Sequence, residues 1–178
     1  MDQADYLKGI QEMYGAEVEG EGMATRWLEL TTDPEQQYKL GLFLQLESEA
    51  KVRLRPLLAR YGISLIEESS QRNLGAKEAE RFAAQPWKAA MAELSKLCLP
   101  YSQRFRSLLQ VAPPEDVPLI LFMIDHEESF SQITAREAMG EAAMATELVI
   151  MLAHPFARAE SQIRSRVSGQ SPTFSATM

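Results

Sequence analysis

Apolar residues recur at every third or fourth position along almost the whole chain, and no stretch alternates every second residue. That period turns one stripe of an α-helix toward a core, so it constrains the chain to an all-helical fold. The intervening positions are rich in Ala, Leu, Glu, Gln, Met and Arg, which enter helices at low cost. The first helix is expected over about residues 2–31, with Tyr6, Ile10, Met13, Tyr14, Ala24 and Leu28 on its stripe. It stops at Thr31-Thr32-Asp33-Pro34, where Asp33 suits the next N-cap and Pro34 the next first turn. The second runs to about Tyr61, bent at Pro56 and ended by Gly62. Residues 62–85 break the rhythm with Gly62, a polar run from Glu67 to Asn73, and Gly75. They read as a crossover containing a short helical piece around Lys77–Ala84. A third helix follows over about Pro86–Gln110, with a kink at Pro100, and a fourth over about Glu115–Ala153, stopped by His154-Pro155. A helical domain over 1–155 and a tail over 156–178 result, the tail beginning as a short basic helix with Arg158, Arg164 and Arg166 and then becoming Ser/Thr/Gly/Pro-rich and mobile.

Composition narrows the class. With 178 residues, 46% apolar and 24% charged, the chain fits one globular unit and is neither disordered nor collagen-like. A net charge of −7 argues against nucleic acid as the main partner. The longest nearly unbroken apolar run, Val117–Ile124, falls far short of the ~20 residues a membrane-spanning helix needs. The single cysteine, Cys98, cannot form an internal disulfide and reads as an inert core thiol. The first residues lack a secretory pattern, so a cytoplasmic location is expected.

A helical wheel separates the charged residues that point inward from those that do not. Glu17 falls on the inward face of the first helix, with Glu21 one turn further, and Glu47 shares the face of Phe43, Ala50 and Leu54 on the second. The third helix turns no carboxylate inward. His126, Glu137 and Glu141 lie on the stripe of the fourth, with Glu127 at its border. Folding the helix pairs back on their loops brings Glu17, Glu47 and His126 to one level, within about one turn or ~5 Å. Glu137 and Glu141 would form a second polar group toward the other end.

Two short-looped hairpins joined by a long crossover, with glutamates on inward stripes, resemble the ferritin-like superfamily, particularly its small rubrerythrin-like members, over about residues 2–153. The resemblance implies a ferritin-like four-helix bundle, an iron or manganese carboxylate centre and oxidoreductase chemistry. The family takes one Glu from each of two helices and a Glu-x-x-His from each of the others. Glu17 and Glu47 match two of these glutamates, but Ala50 stands where a histidine is expected, and Met123 and Phe130 interrupt both possible pairs around His126 and Glu127. The implied ligand set is therefore reduced: Glu17, Glu47 and His126, helped by Glu21 or Glu127. Two other readings of the same residues stay open. One is a metal-free polar network in which His126 pairs with a glutamate and Lys51 or Arg53 neutralises Glu47. The other is a different register that leaves several of these glutamates in solvent. The bundle is expected to be a homodimer, and at the level of function a metal-dependent oxidoreductase competes with a non-catalytic helical module that binds a partner protein or a small apolar ligand.

Overall fold

The computed structural model describes residues 3–141 and 143–156. Among them it contains six helices and no strand: α1 (Gln3–Leu30), α2 (Pro34–Arg60), α3 (Ser69–Ala83), α4 (Trp87–Leu108), α5 (Val117–Met139) and α6 (Met144–Met151). The expected basic helix and tail beyond Phe156 lie outside the described residues. No helix among the described residues is long and apolar enough to cross a membrane.

The first turn-back follows its sequence signals. The Asp33 side chain accepts the Gln36 N–H at 2.9 Å, Pro34 opens α2, and α2 lies antiparallel on α1. At its far end Gly62 adopts φ +66°, and the Ile63 N–H closes onto the Leu58 carbonyl at 2.9 Å. Pro56 and Pro100 sit inside α2 and α4 without ending either helix. α4 and α5 form the second antiparallel pair, joined where the Ser131 hydroxyl donates to the Ser95 carbonyl at 2.6 Å. A polar knot ties three helix ends together: Asp116, buried, accepts the Tyr6 hydroxyl at 2.7 Å, the Tyr61 hydroxyl at 2.5 Å and Arg60 at 2.5 Å.

Two expectations need correction. The crossover is mostly helix, because its polar run from Glu67 to Asn73 includes the exposed first turns of α3, whose buried residues are only Gly75, Ala79 and Phe82. That narrow stripe lies along α1. A Cβ on Gly75 would collide with the Glu19 carbonyl, and one on Gly22 would press on the Arg72 backbone, so both helices need glycine to approach this closely. Phe82 then stacks on Trp27, with ring centroids 5.2 Å apart. The expected fourth helix is also not continuous. Gly140 adopts φ +90°, caps α5 in the left-handed region and separates it from α6. The break dissolves the expected Glu137–Glu141 pair: Glu141 is exposed, whereas Glu137 is buried and accepts from Lys39 Nζ at 2.7 Å and Trp87 Nε1 at 2.8 Å.

The apolar core comes in two parts. One holds Tyr6, Ile10, Met13 and Val18 of α1 with Leu54 and Leu57 of α2, Phe105 of α4 and Met123 of α5. The other holds Met23 and Trp27 of α1 with Phe43 and Leu46 of α2, Leu94 of α4 and Phe130 of α5. Residues 17, 47 and 126 fall where α1, α2 and α5 pass from one part to the other.

Beside this boundary the crossover is anchored by charge. Lys51 Nζ, 5% exposed, donates to Glu21 at 2.6 Å and Glu67 at 2.7 Å, and Arg72 donates to the same two carboxylates at 2.7 Å each. Burial opposes ionisation of Glu67, but Lys51 and Arg72 outweigh it and hold its carboxyl down at about 2.

Gly75→Ala is expected to cost about 1–3 kcal/mol of unfolding free energy, because backbone must move to admit the methyl group; a urea midpoint equal to wild type would contradict the close α1–α3 contact. The Glu67 carboxyl titrates lower in the folded chain than its ordinary 4.5, so its contribution is complete above that pH and is lost as pH falls toward about 2. Trp27 fluorescence should report α3 loosening over that interval, and Glu67→Gln should flatten the dependence.

Candidate metal centre

The three inward ionisable groups at the core boundary meet. His126 Nε2 lies 3.5 Å from Glu17 Oε2 and 3.5 Å from Glu47 Oε1, with the three side chains 2%, 1% and 7% exposed. One ligand atom from each falls within 4.8 Å of the others, so Glu17, Glu47 and His126 form a buried group that can hold a metal ion. The separation is long for an N–H···O hydrogen bond, which clusters near 2.9–3.0 Å. It suits two atoms bound to one ion: metal–ligand bonds of ~2.1 Å at a tetrahedral angle place ligand atoms ~3.4 Å apart.

Hydrogen bonding leaves the group incomplete. Both carboxylate oxygens of Glu17 and the Nδ1 of His126 are buried and have no hydrogen-bond partner. Buried polar atoms without partners are costly, and the Glu17 oxygens can be satisfied by a cation or a proton. Burial, reinforced by the nearby charges of Glu47 and Glu127, pushes the Glu17 carboxyl well above its ordinary range. Burial likewise lifts Glu127 to about 8, with His126 opposing and Glu47 adding to the rise. At His126 burial disfavours the imidazolium, but interaction with the Glu47 and Glu127 carboxylates outweighs it and raises the imidazole above 6.5. Without a metal the group therefore keeps protons that separated carboxylates would lose.

Glu21 is not part of it. Its carboxylate is taken by Ser48 at 2.6 Å, Lys51 and Arg72, on the side of α1 that faces α3. Nor do the expected cations neutralise Glu47: Lys51 is committed to Glu21 and Glu67, and the Arg53 guanidinium lies over the Phe122 ring at 4.2 Å. Glu127 is buried, and burial with the nearby charge of Glu47 raises its own carboxyl, but it is not one of the three converging ligands. Cys98 is buried as expected, donates to the Leu94 carbonyl at 3.6 Å and is raised by burial.

Two features were not read from the sequence. A cavity of about 350 Å³ reaches Glu47, Cys98 and Glu127 on its buried side, with Glu78, Arg81 and Leu97 on its more exposed side. Gly20 also lines it, and a Cβ there would collide with Glu47 Oε2. Its signal was available: a glycine inside a long helix costs ~1 kcal/mol against alanine and calls for a reason.

No family model, curated protein or solved structure matches the chain. The geometry of the centre is thus the basis for any functional reading.

Gly20→Ala is expected to displace the Glu47 carboxylate and weaken metal affinity by about tenfold or more, in the range found when a ligand's orientation is disturbed. Calorimetric titration of the chelator-stripped variant with Mn(II) checks this; an unchanged affinity would show that Glu47 does not need the space beside Gly20.

Proposed function

We propose that this chain is a ferritin-like helical-bundle protein that holds one divalent iron or manganese ion between Glu17, Glu47 and His126 and serves as a metal-dependent oxidoreductase for a small molecule. The carrying observation is that three ligand atoms converge inside the core while the two oxygens of Glu17 have no other partner. Carboxylate oxygens with one imidazole suit iron and manganese, and two ionised glutamates with a neutral imidazole balance a divalent charge. The antiparallel pairs α1–α2 and α4–α5, linked through α3, support the ferritin-like part of the reading.

Within such a centre the chain's own roles are distinct. Glu17 and Glu47 supply the anionic ligands, and His126 fixes the third direction through Nε2. The bound ion would supply one-electron redox chemistry. The two core parts keep bulk water from the group, and the cavity lets a small molecule approach Glu47 and Glu127. Binding must expel the protons that burial keeps on the centre, so loading is expected to release acid and to weaken as pH falls.

A second reading draws on the cavity wall, which includes Met23, Phe43 and Phe130. A non-catalytic bundle that keeps the polar layer metal-free and takes a small apolar ligand would use the same space. The convergence of three ligand atoms within 4.8 Å of one another favours the metal.

Elemental analysis of protein purified without chelator, then loaded anaerobically with ferrous iron or Mn(II), separates the two. Stoichiometric metal in the wild type, lost in Glu47→Ala and in His126→Ala with the fold retained by circular dichroism, is the expected result. A wild type that takes up neither ion overturns the metal reading. Glu47→Leu raising the melting temperature of the metal-free chain would be the result favouring the second reading, since a buried charge exchanged for apolar volume is often stabilising.

A further inference from the structure

The proposed metal centre is buried on every ligand: Glu17 is 1%, Glu47 5% and His126 3% exposed. A hydrated cation therefore needs a passage. The cavity between α1 and α4 touches the centre at Glu47, and four carboxylates line it: Glu19 and Glu78, which are partly exposed, and Glu127 and Glu47, which are buried. The only cation lining it among the described residues, Arg81, is already held by Glu78 and Glu93 and lies over the Phe82 ring at 4.4 Å. The outer side thus carries net negative charge. Glu47 carries the cavity on to the centre, where its Oε1 and the unpartnered Glu17 Oε2 each lie 3.5 Å from His126 Nε2.

We propose that this cavity is the loading route for the divalent cation and that Glu127 is its relay, accepting the ion behind Glu19 and Glu78 and passing it to Glu47. The proposal rests on the metal reading given above. It adds a role for Glu127, which lines the route but is not one of the three converging ligands. A buried carboxylate on the wall of such a passage replaces water lost from the ion's shell, and a carboxylate-lined entrance raises the local cation concentration. Gly20 leaves the room that the Glu47 carboxylate occupies where the cavity meets the centre.

Loading is followed by mixing the chelator-stripped full chain with Mn(II) and recording the loss of the aqueous Mn(II) paramagnetic resonance signal against time. Glu127→Gln is expected to bind Mn(II) to the wild-type stoichiometry but about tenfold or more slowly, the scale of electrostatic effects on association. Leu97→Trp, which narrows the outer side without touching a ligand, should slow loading likewise, and Glu19→Gln should slow it less. Glu127→Gln loading at the wild-type rate would overturn the relay, and so would a lower final stoichiometry, which would make Glu127 a ligand. Should Glu127→Gln fail to fold, Leu97→Trp decides: slow loading to full stoichiometry supports the passage, and wild-type speed overturns it. A wild type that binds neither Mn(II) nor ferrous iron instead overturns the metal reading beneath the proposal.

Discussion

A carboxylate with both oxygens buried and no hydrogen bond to either is the constraint around which the molecule is arranged. Glu17 occupies that position. An isolated ionised carboxylate in such surroundings is destabilised far beyond what a small domain can offset, so Glu17 must carry a proton or meet a cation. Glu47 and His126 face it from α2 and α5. The three lie at the boundary between two apolar cores, where loosening either core would let water reach them. Packing on both sides and charge at the boundary are therefore one problem, and the fold's rigidity sets how far the ligand atoms can move apart.

Glycines set the spacing that makes this possible. Gly75 and Gly22 let α3 lie against α1 at backbone contact, which closes the wall beside the centre and docks Phe82 on Trp27. Gly20, two residues from Gly22 and so on the opposite face of α1, leaves the volume that the Glu47 carboxylate fills. Each lowers the intrinsic helical preference of its segment, and the tertiary contact it permits offsets that loss.

The helical period made the inward residues legible, because a wheel fixes the direction of a side chain and a ruler fixes its level. That is why Glu17, Glu47 and His126 could be grouped from letters alone. Neither tool says which neighbour a helix face meets. Glu21 shares roughly the direction of Glu17, yet it points at the groove filled by α3, a helix hidden because its buried stripe is only Gly75, Ala79 and Phe82. Lys51 lies one turn from Glu47 in sequence but reaches across to Glu21 and Glu67 for the same reason. The break at Gly140 was obscured by alanines and glutamates around it, residues that favour helix strongly enough to mask one left-handed position.

The placement of Lys51 bears on what the centre can bind. Lys51, Arg72 and, at 3.7 Å, Arg55 face Glu21 and Glu67, so that network meets its carboxylate charge without help from the centre. Among the described residues the only side-chain ion pairs the centre makes are those with His126, and Lys51 acts on Glu17 only through its charge. A lysine turned onto Glu47 would have neutralised it permanently and occupied the position of an ion. Holding Lys51 one layer away leaves Glu17 and Glu47 with two negative charges to be met by protons or by a divalent cation, and the competition between those two is what such a site can use to couple metal occupancy to pH.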